Sequence, residues 1–77
     1  MNAHFPAPTD QRVELREYIA ENISLAMIQA EIILRFAELG DDRGLEYALR
    51  RYTAYNKAAL QTFADLLHRN QREAGRG

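Results

Sequence analysis

The sequence predicts an all-α protein, an antiparallel two-helix hairpin that dimerises into a four-helix bundle. Two long stretches of the 77-residue chain have helical periodicity and no internal proline. The segment Gly40-Asp41-Asp42 separates them, and its residues are typical of a helix end followed by a helix start. The first stretch is also apolar around more of its circumference than one neighbouring helix can cover. The chain is therefore expected to need a second partner.

The first element is a helix over about residues 10–39. Pro6 and Pro8 disfavour helix in the residues that precede them, so residues 1–8 are predicted to form a flexible tail. Thr9 or Asp10 can cap the helix, which then continues without glycine or proline to Leu39. Its end is placed there because Gly40 follows.

The second element is a helix over about residues 43–73, after a turn at residues 40–42. Asp41 or Asp42 can cap it, while Gly44 weakens its first turn by roughly 1 kcal/mol relative to alanine. Residues 75–77 are predicted to form a frayed end. Because the connection is short, the two helices must lie antiparallel, and residues 9–74 form one hairpin domain.

The apolar positions define one seam on the second helix and two on the first. The second helix is expected to pack through Leu45, Leu49, Tyr52, Asn56, Ala59, Phe63 and Leu66. On the first helix, one seam consists of Ile19, Ile23, Ala26, Ala30, Ile33 and Ala37, with Met27 and Leu34 beside it. The other consists of Leu15, Tyr18, Leu25, Ile28, Ile32, Phe36 and Leu39.

The second seam of the first helix is the predicted interface with another molecule. Left exposed, it would form a larger apolar patch than monomeric proteins usually carry, and a second hairpin could cover it in a four-helix bundle. A homodimer is therefore expected. A protein client could use the same seam instead, and two hairpins could dock either parallel or antiparallel.

Three amides fall within these apolar seams: Asn22, Gln29 and Asn56. A buried amide penalises any alignment that leaves it unpaired, so it can specify the register of a helical interface. For Asn22 and Gln29, a solvated position at the interface edge is an equally good interpretation. The mid-seam position of Asn56 favours burial and a register-specifying role.

The residues that could carry chemistry are sparse, and the sequence predicts neither an enzyme nor a small-molecule substrate. His4 and His68 have no partner at ligand spacing, and there is no cysteine, so neither a metal site nor a cofactor is expected. No signal sequence is recognisable at the amino terminus, and the most apolar run is interrupted by polar residues. We therefore expect a cytoplasmic protein that is not inserted in a membrane.

Binding to another protein is the predicted function, in the manner of a small regulator, inhibitor, adaptor, anti-activator or chaperone. The candidate partner-binding residues are Tyr47, Arg50, Arg51 and Lys57 on the outward side of the second helix. Tyrosine and arginine are enriched at the centres of protein interfaces.

Nucleic-acid binding is the alternative. Arg50, Lys57, His68 and Arg72 share a stripe that a symmetric dimer would present twice to RNA or DNA phosphates. This layout is similar to that of the ROP-type plasmid regulator, a dimeric hairpin bundle that binds RNA. The similarity concerns architecture alone and involves no shared motif. Acidic residues within the stripe, Glu46 and Asp65, favour a solvated face of mixed charge.

Overall fold

A computed structural model describes residues 11–74 and shows two helices, α1 (Gln11–Leu39) and α2 (Asp42–Ala74). They pack against each other along their length, which confirms the all-α hairpin predicted from the sequence. α2 begins and ends one residue away from the predicted bounds. The expected tail at residues 1–8, the cap candidates Thr9 and Asp10, His4 and the end at residues 75–77 lie outside the described residues. Within residues 11–74, neither helix has an apolar stretch long enough to cross a membrane.

Gly40 ends α1 in a left-handed conformation with φ of 69°. Its N–H donates to the carbonyl of Ala37 at 3.2 Å, and the N–H of Asp41 donates to the carbonyl of Phe36 at 3.0 Å. These two bonds form a Schellman motif, which satisfies carbonyls that the helix end would otherwise leave unpaired. Glycine suits the position because it has no Cβ to disfavour positive φ.

Asp41 starts α2 directly after this motif. Its carboxylate Oδ1 accepts a hydrogen bond from the N–H of Gly44 at 3.0 Å. Its carbonyl accepts the first helical hydrogen bond, from the N–H of Leu45 at 2.9 Å. Of the two candidate caps, Asp41 is therefore the N-cap, and Asp42 is the first residue of the helix.

The contact between the helices follows alternating steps of three and four residues. The residues of α1 that face α2 are buried or half-buried: Leu15, Ile19, Asn22, Ala26, Gln29, Ile33 and Phe36. Their counterparts on α2 keep this spacing except at Tyr52, which is 37% exposed: they are Leu45, Ala48, Tyr55, Ala59, Thr62 and Leu66. The line of contact therefore passes between the two predicted seams of α1 and draws residues from both.

This placement corrects the predicted seam of α2. Leu49 and Phe63 were expected inside the hairpin, but they are 43% and 48% exposed. Ala48 and Tyr55, on the opposite flank, are turned inward instead. Ala48 and Ala59 are among the most deeply buried residues of this line, at 0% and 5% exposure, and small side chains at a helix contact favour close packing.

The core that results is thin. Among the described residues, the buried apolar side chains are Ala26, Ala48, Ala59 and Leu66, and no large side chain is completely buried. Burial of apolar area provides most of the stabilisation of a small fold. This hairpin therefore obtains little from its own interior and leaves both apolar flanks of α1 uncovered.

Polar contacts hold the open end of the hairpin, where α1 begins and α2 ends. Arg12 forms an ion pair with Glu73 at 3.1 Å and donates to Asn70 Oδ1 at 3.4 Å. Arg69 donates to Oε1 of Gln11. These bonds tie residues that are far apart in sequence and fix the antiparallel alignment at this end.

Candidate protein-binding surfaces

Two antiparallel helices lying side by side form a slab with two broad faces. Successive residues of a helix are rotated by about 100°, so each helix has one flank on each broad face. The contacts across the hairpin show which flank of α1 shares a face with which flank of α2. The contact of Arg12 with Asn70 lies on one face. The close approach of Phe36 to Gly44 lies on the other face.

The first of these faces, here called the apolar face, is apolar on both helices. Its exposed side chains are Ile23, Met27 and Leu34 from α1 with Leu49, Leu60, Phe63 and Leu67 from α2. No charged side chain lies on this flank of α1 between Ile23 and Leu34, or on this flank of α2 between Leu45 and Leu67. The apolar face is thus continuous across the hairpin.

The opposite face, here called the tyrosine face, is apolar on α1 and mixed on α2. α1 contributes the exposed side chains Tyr18, Leu25, Ile28 and Leu39. α2 contributes Tyr47, Arg51 and Tyr55, together with the polar residues Thr62, Asp65 and Arg69. This face therefore offers an apolar stripe beside aromatic and charged groups.

Arg51 is held between two tyrosines on the tyrosine face. Its guanidinium carbon lies 5.6 Å from the ring centroid of Tyr47 and 5.5 Å from that of Tyr55. Its Nη2 also donates to the Tyr55 hydroxyl at 2.7 Å. Both distances to the ring centroids fall within the range of cation–π attraction. These contacts favour this orientation of the exposed guanidinium.

Arg50 and Lys57 lie elsewhere, on the side of α2 that faces away from α1. The guanidinium of Arg50 donates twice to Glu46 Oε2, at 3.0 and 2.8 Å. Both side chains of this pair are largely exposed, as is Lys57. The structure thus separates the four candidate partner-binding residues into Tyr47 and Arg51 on one surface and Arg50 and Lys57 on another.

The predicted interface seam of α1 is divided by the hairpin contact. Leu15 and Phe36 are half-buried and turn towards α2, and Ile32 is half-buried beside them. The remaining members are exposed on the tyrosine face: Tyr18, Leu25, Ile28 and Leu39.

The three amides occupy different environments. Asn22 is buried between the helices, at 7% exposure, and its Nδ2 donates to the carbonyl of Tyr18 at 2.9 Å. Gln29 is half-buried along the same contact. Asn56 is half-buried on the apolar face, where its Nδ2 donates to the carbonyl of Tyr52 at 2.8 Å.

Sequence reasoning missed Tyr55 as a member of the candidate site. Tyr47, Arg51 and Tyr55 are spaced four residues apart, which places their side chains on one side of a helix. That spacing was the available signal. It was obscured because the predicted seam placed Leu49 and Phe63 against α1, on the flank of α2 opposite to Tyr55.

Among the described residues, no group of three histidine, aspartate or glutamate side chains is arranged to hold a metal ion. No protein-family model matches the sequence, and no curated protein or solved structure matches it at a significant level.

Proposed function

We propose that this chain is a non-catalytic protein–protein interaction module, a small regulator, inhibitor or adaptor that binds another protein through its tyrosine face. The observation that carries the proposal is the stack of Arg51 between Tyr47 and Tyr55. It lies next to an exposed apolar stripe on α1 that includes Ile28 and Leu39. The binding mode would be packing of a helical face against a helix or groove of the partner.

The stack supports this function because it combines anchoring groups with preorganisation. Tyrosine and arginine are the residues that most often dominate the binding energy of interfaces. Ordering a free arginine side chain on binding costs about 0.5–1.5 kcal/mol. Since Arg51 is already oriented by its two neighbours, much of that cost is met before the partner arrives.

The apolar stripe of α1 supplies the second part of the surface. Burial of apolar area contributes about 25 cal/mol per Å², and Leu39 is 77% exposed. Glu14 and Glu21 on α1 and Asp65 and Arg69 on α2 border the stripe. Such charges at the rim of an interface affect partner choice and association rate more than affinity.

The test is affinity capture from cells that produce the protein, with two double variants compared. Tyr47→Ala with Arg51→Ala removes the stack, whereas Glu46→Ala with Arg50→Ala removes an exposed ion pair from the side of α2 facing away from α1. We expect a protein that the wild type and the Glu46/Arg50 variant retain and the Tyr47/Arg51 variant loses. Circular dichroism checks that both variants stay helical. Equal retention by all three proteins would contradict the proposal.

Nucleic-acid binding through the stripe of Arg50, Lys57, His68 and Arg72 is a weaker candidate. The Arg50 guanidinium is engaged by Glu46, which offsets the charge that a phosphate would need. Arg51 is stacked on the tyrosine face and does not extend the stripe. The remaining cations leave few groups for the backbone contacts that generate nucleic-acid affinity.

A further inference from the structure

We infer that a second copy of this chain docks on the apolar face, so that the two hairpins form a four-helix bundle in which the tyrosine faces remain outside. The proposal goes beyond protein binding by the tyrosine face, because it assigns the opposite surface and names its occupant. It also differs from a dimer through the seam of Tyr18, Leu25, Ile28 and Leu39. Three properties of the apolar face support it.

The first property is its area. α1 has 29 residues and α2 has 33, and the apolar part of the face extends over most of α2. It runs from Leu45 to Leu67 on α2 and from Ile23 to Leu34 on α1, so at about 1.5 Å per residue and a diameter of about 10 Å per helix it covers roughly 500 Å² in projection. The accessible surface of protruding side chains exceeds this projected area, so the face is of the same order as the ~800 Å² that each partner buries in a stable interface.

The second property is the distribution of charge. Docking of two identical faces about a two-fold axis brings each residue that lies near the axis close to its own copy. Like charges near the centre would therefore repel. The centre of the apolar face carries no charged side chain, whereas the tyrosine face carries Arg51 and Asp65 on α2 and is bordered by Glu21 on α1. Of the two faces, the apolar face is the self-complementary one.

The third property is the position of Asn56. Arg12 lies opposite Asn70 and Phe36 lies opposite Gly44, so Asn56 lies at the level of Leu25, near the middle of both helices. A two-fold axis that lies in the plane between the two docked faces and crosses both helices at this level brings Asn56 close to its own copy. An amide has two N–H donors and an acceptor oxygen, and Asn56 uses one donor for the Tyr52 carbonyl. The other groups can pair with Asn56 of the second copy.

Two adjacent residues on opposite faces provide the test. Met27 is 66% exposed on the apolar face, and Ile28 is 53% exposed on the tyrosine face. We compare Met27→Glu with Ile28→Glu by sedimentation equilibrium and light scattering over a dilution series, with helicity measured at each concentration. We expect a wild-type dimer, a dissociation constant raised about 100-fold or more in Met27→Glu, and less than a three-fold change in Ile28→Glu.

Three results would overturn the inference: a wild-type monomer at 100 µM, dissociation caused by Ile28→Glu with Met27→Glu unaffected, or equal dissociation by both. The failure of this inference is distinguishable from failure of the proposed function, since partner capture is tested with substitutions on the tyrosine face.

A second measurement covers the case in which Met27→Glu unfolds. The chain has no cysteine, so a single one can be placed at Asn56→Cys, with Ala54→Cys on the outward side as the control. Under mild oxidation at micromolar concentration, we expect a covalent dimer from Asn56→Cys and little from Ala54→Cys. Disulfides require Cα atoms within about 7 Å, so no cross-linking at position 56 would contradict the two-fold axis proposed here.

Discussion

The ring of Phe36 lies directly over Gly44, so close that a Cβ atom at position 44 would be 2.5 Å from Phe36 Cε1. This contact joins the last turn of α1 to the first turn of α2 and closes the hairpin beside the turn. From the sequence alone, the expected effect of Gly44 is to weaken a helix start. The structure shows that the lack of a side chain is what allows the phenylalanine to pack there.

Gly44→Ala should therefore destabilise the protein, although alanine is the better helix former. In an unconstrained helix the change would stabilise by about 0.4–1 kcal/mol. Here the methyl group collides with a ring, and overpacking of this kind costs about 1–3 kcal/mol. Chemical denaturation at a fixed chain concentration measures the difference. A variant as stable as the wild type, or more stable, would show that Phe36 can move aside freely.

The double variant Phe36→Ala with Gly44→Ala separates the collision from other effects. Without the ring, alanine at position 44 should restore its normal helix preference, so Gly44→Ala should be stabilising in the Phe36→Ala background. The change of sign is a coupling free energy between neighbouring residues. Strict additivity of the two substitutions would contradict the proposed clash.

Asp41→Ala should cost about 1 kcal/mol, because it removes the side chain that caps α2. The matched substitution Asp42→Ala changes the first helical residue, leaves the cap intact and should cost less. Thermal unfolding of the two variants checks the order. Asp41→Asn should keep most of the stability, since its side-chain oxygen can still accept the hydrogen bond from the N–H of Gly44. Equal losses from Asp41→Ala and Asp42→Ala would contradict the assignment of Asp41 as the cap.

The sequence predicted the hairpin well because its boundaries depend on local chemistry. Gly40 and Asp41 act within a single turn of chain, so their roles as helix end and helix cap follow from residue type alone. The relation between Phe36 and Gly44 could not be found in this way. It joins residues on two different helices and depends on how the helices pack, which residue type alone does not give.

The division of surfaces was harder to predict for a related reason. α1 is apolar over so much of its circumference that periodicity does not identify which line faces α2. The contact passes through Asn22 and Gln29, which sequence reasoning could place either inside or at an edge. Small and polar residues thus occupy the interior, while Met27 and Leu34 remain outside. The apolar side chains of α1 that α2 does not cover are consequently divided between two faces.

At low salt, the wild-type protein should show no retention on nucleic acid. Electrostatic binding is strongest under that condition, so it provides the most sensitive test of the basic stripe. RNA and duplex DNA filter binding at about 20 mM salt is a suitable assay. Arg50→Ala with Lys57→Ala serves as the comparison. Retention by the wild type that this double variant abolishes, with unchanged helicity, would favour the nucleic-acid function over protein binding.

Asn56→Leu should raise thermal stability while making the oligomer less specific. The substitution replaces a half-buried amide on the apolar face by an apolar side chain of similar size. Polar residues in helical interfaces typically specify one arrangement at a cost in stability. A gain of about 1 kcal/mol corresponds to a rise of roughly 4–8 °C in the unfolding midpoint for a domain of this size.

Loss of specificity in Asn56→Leu should appear as more than one mass in sedimentation velocity, where the wild type gives a single species. Gln61→Leu adds a leucine to the outward side of the same helix, where Gln61 is exposed. This control should leave both the midpoint and the mass unchanged, because neither copy covers that position. A clear loss of stability in Asn56→Leu would mean that the Asn56 amide contributes more to folding than leucine can replace. A single unchanged dimer would mean that apolar packing alone fixes the register.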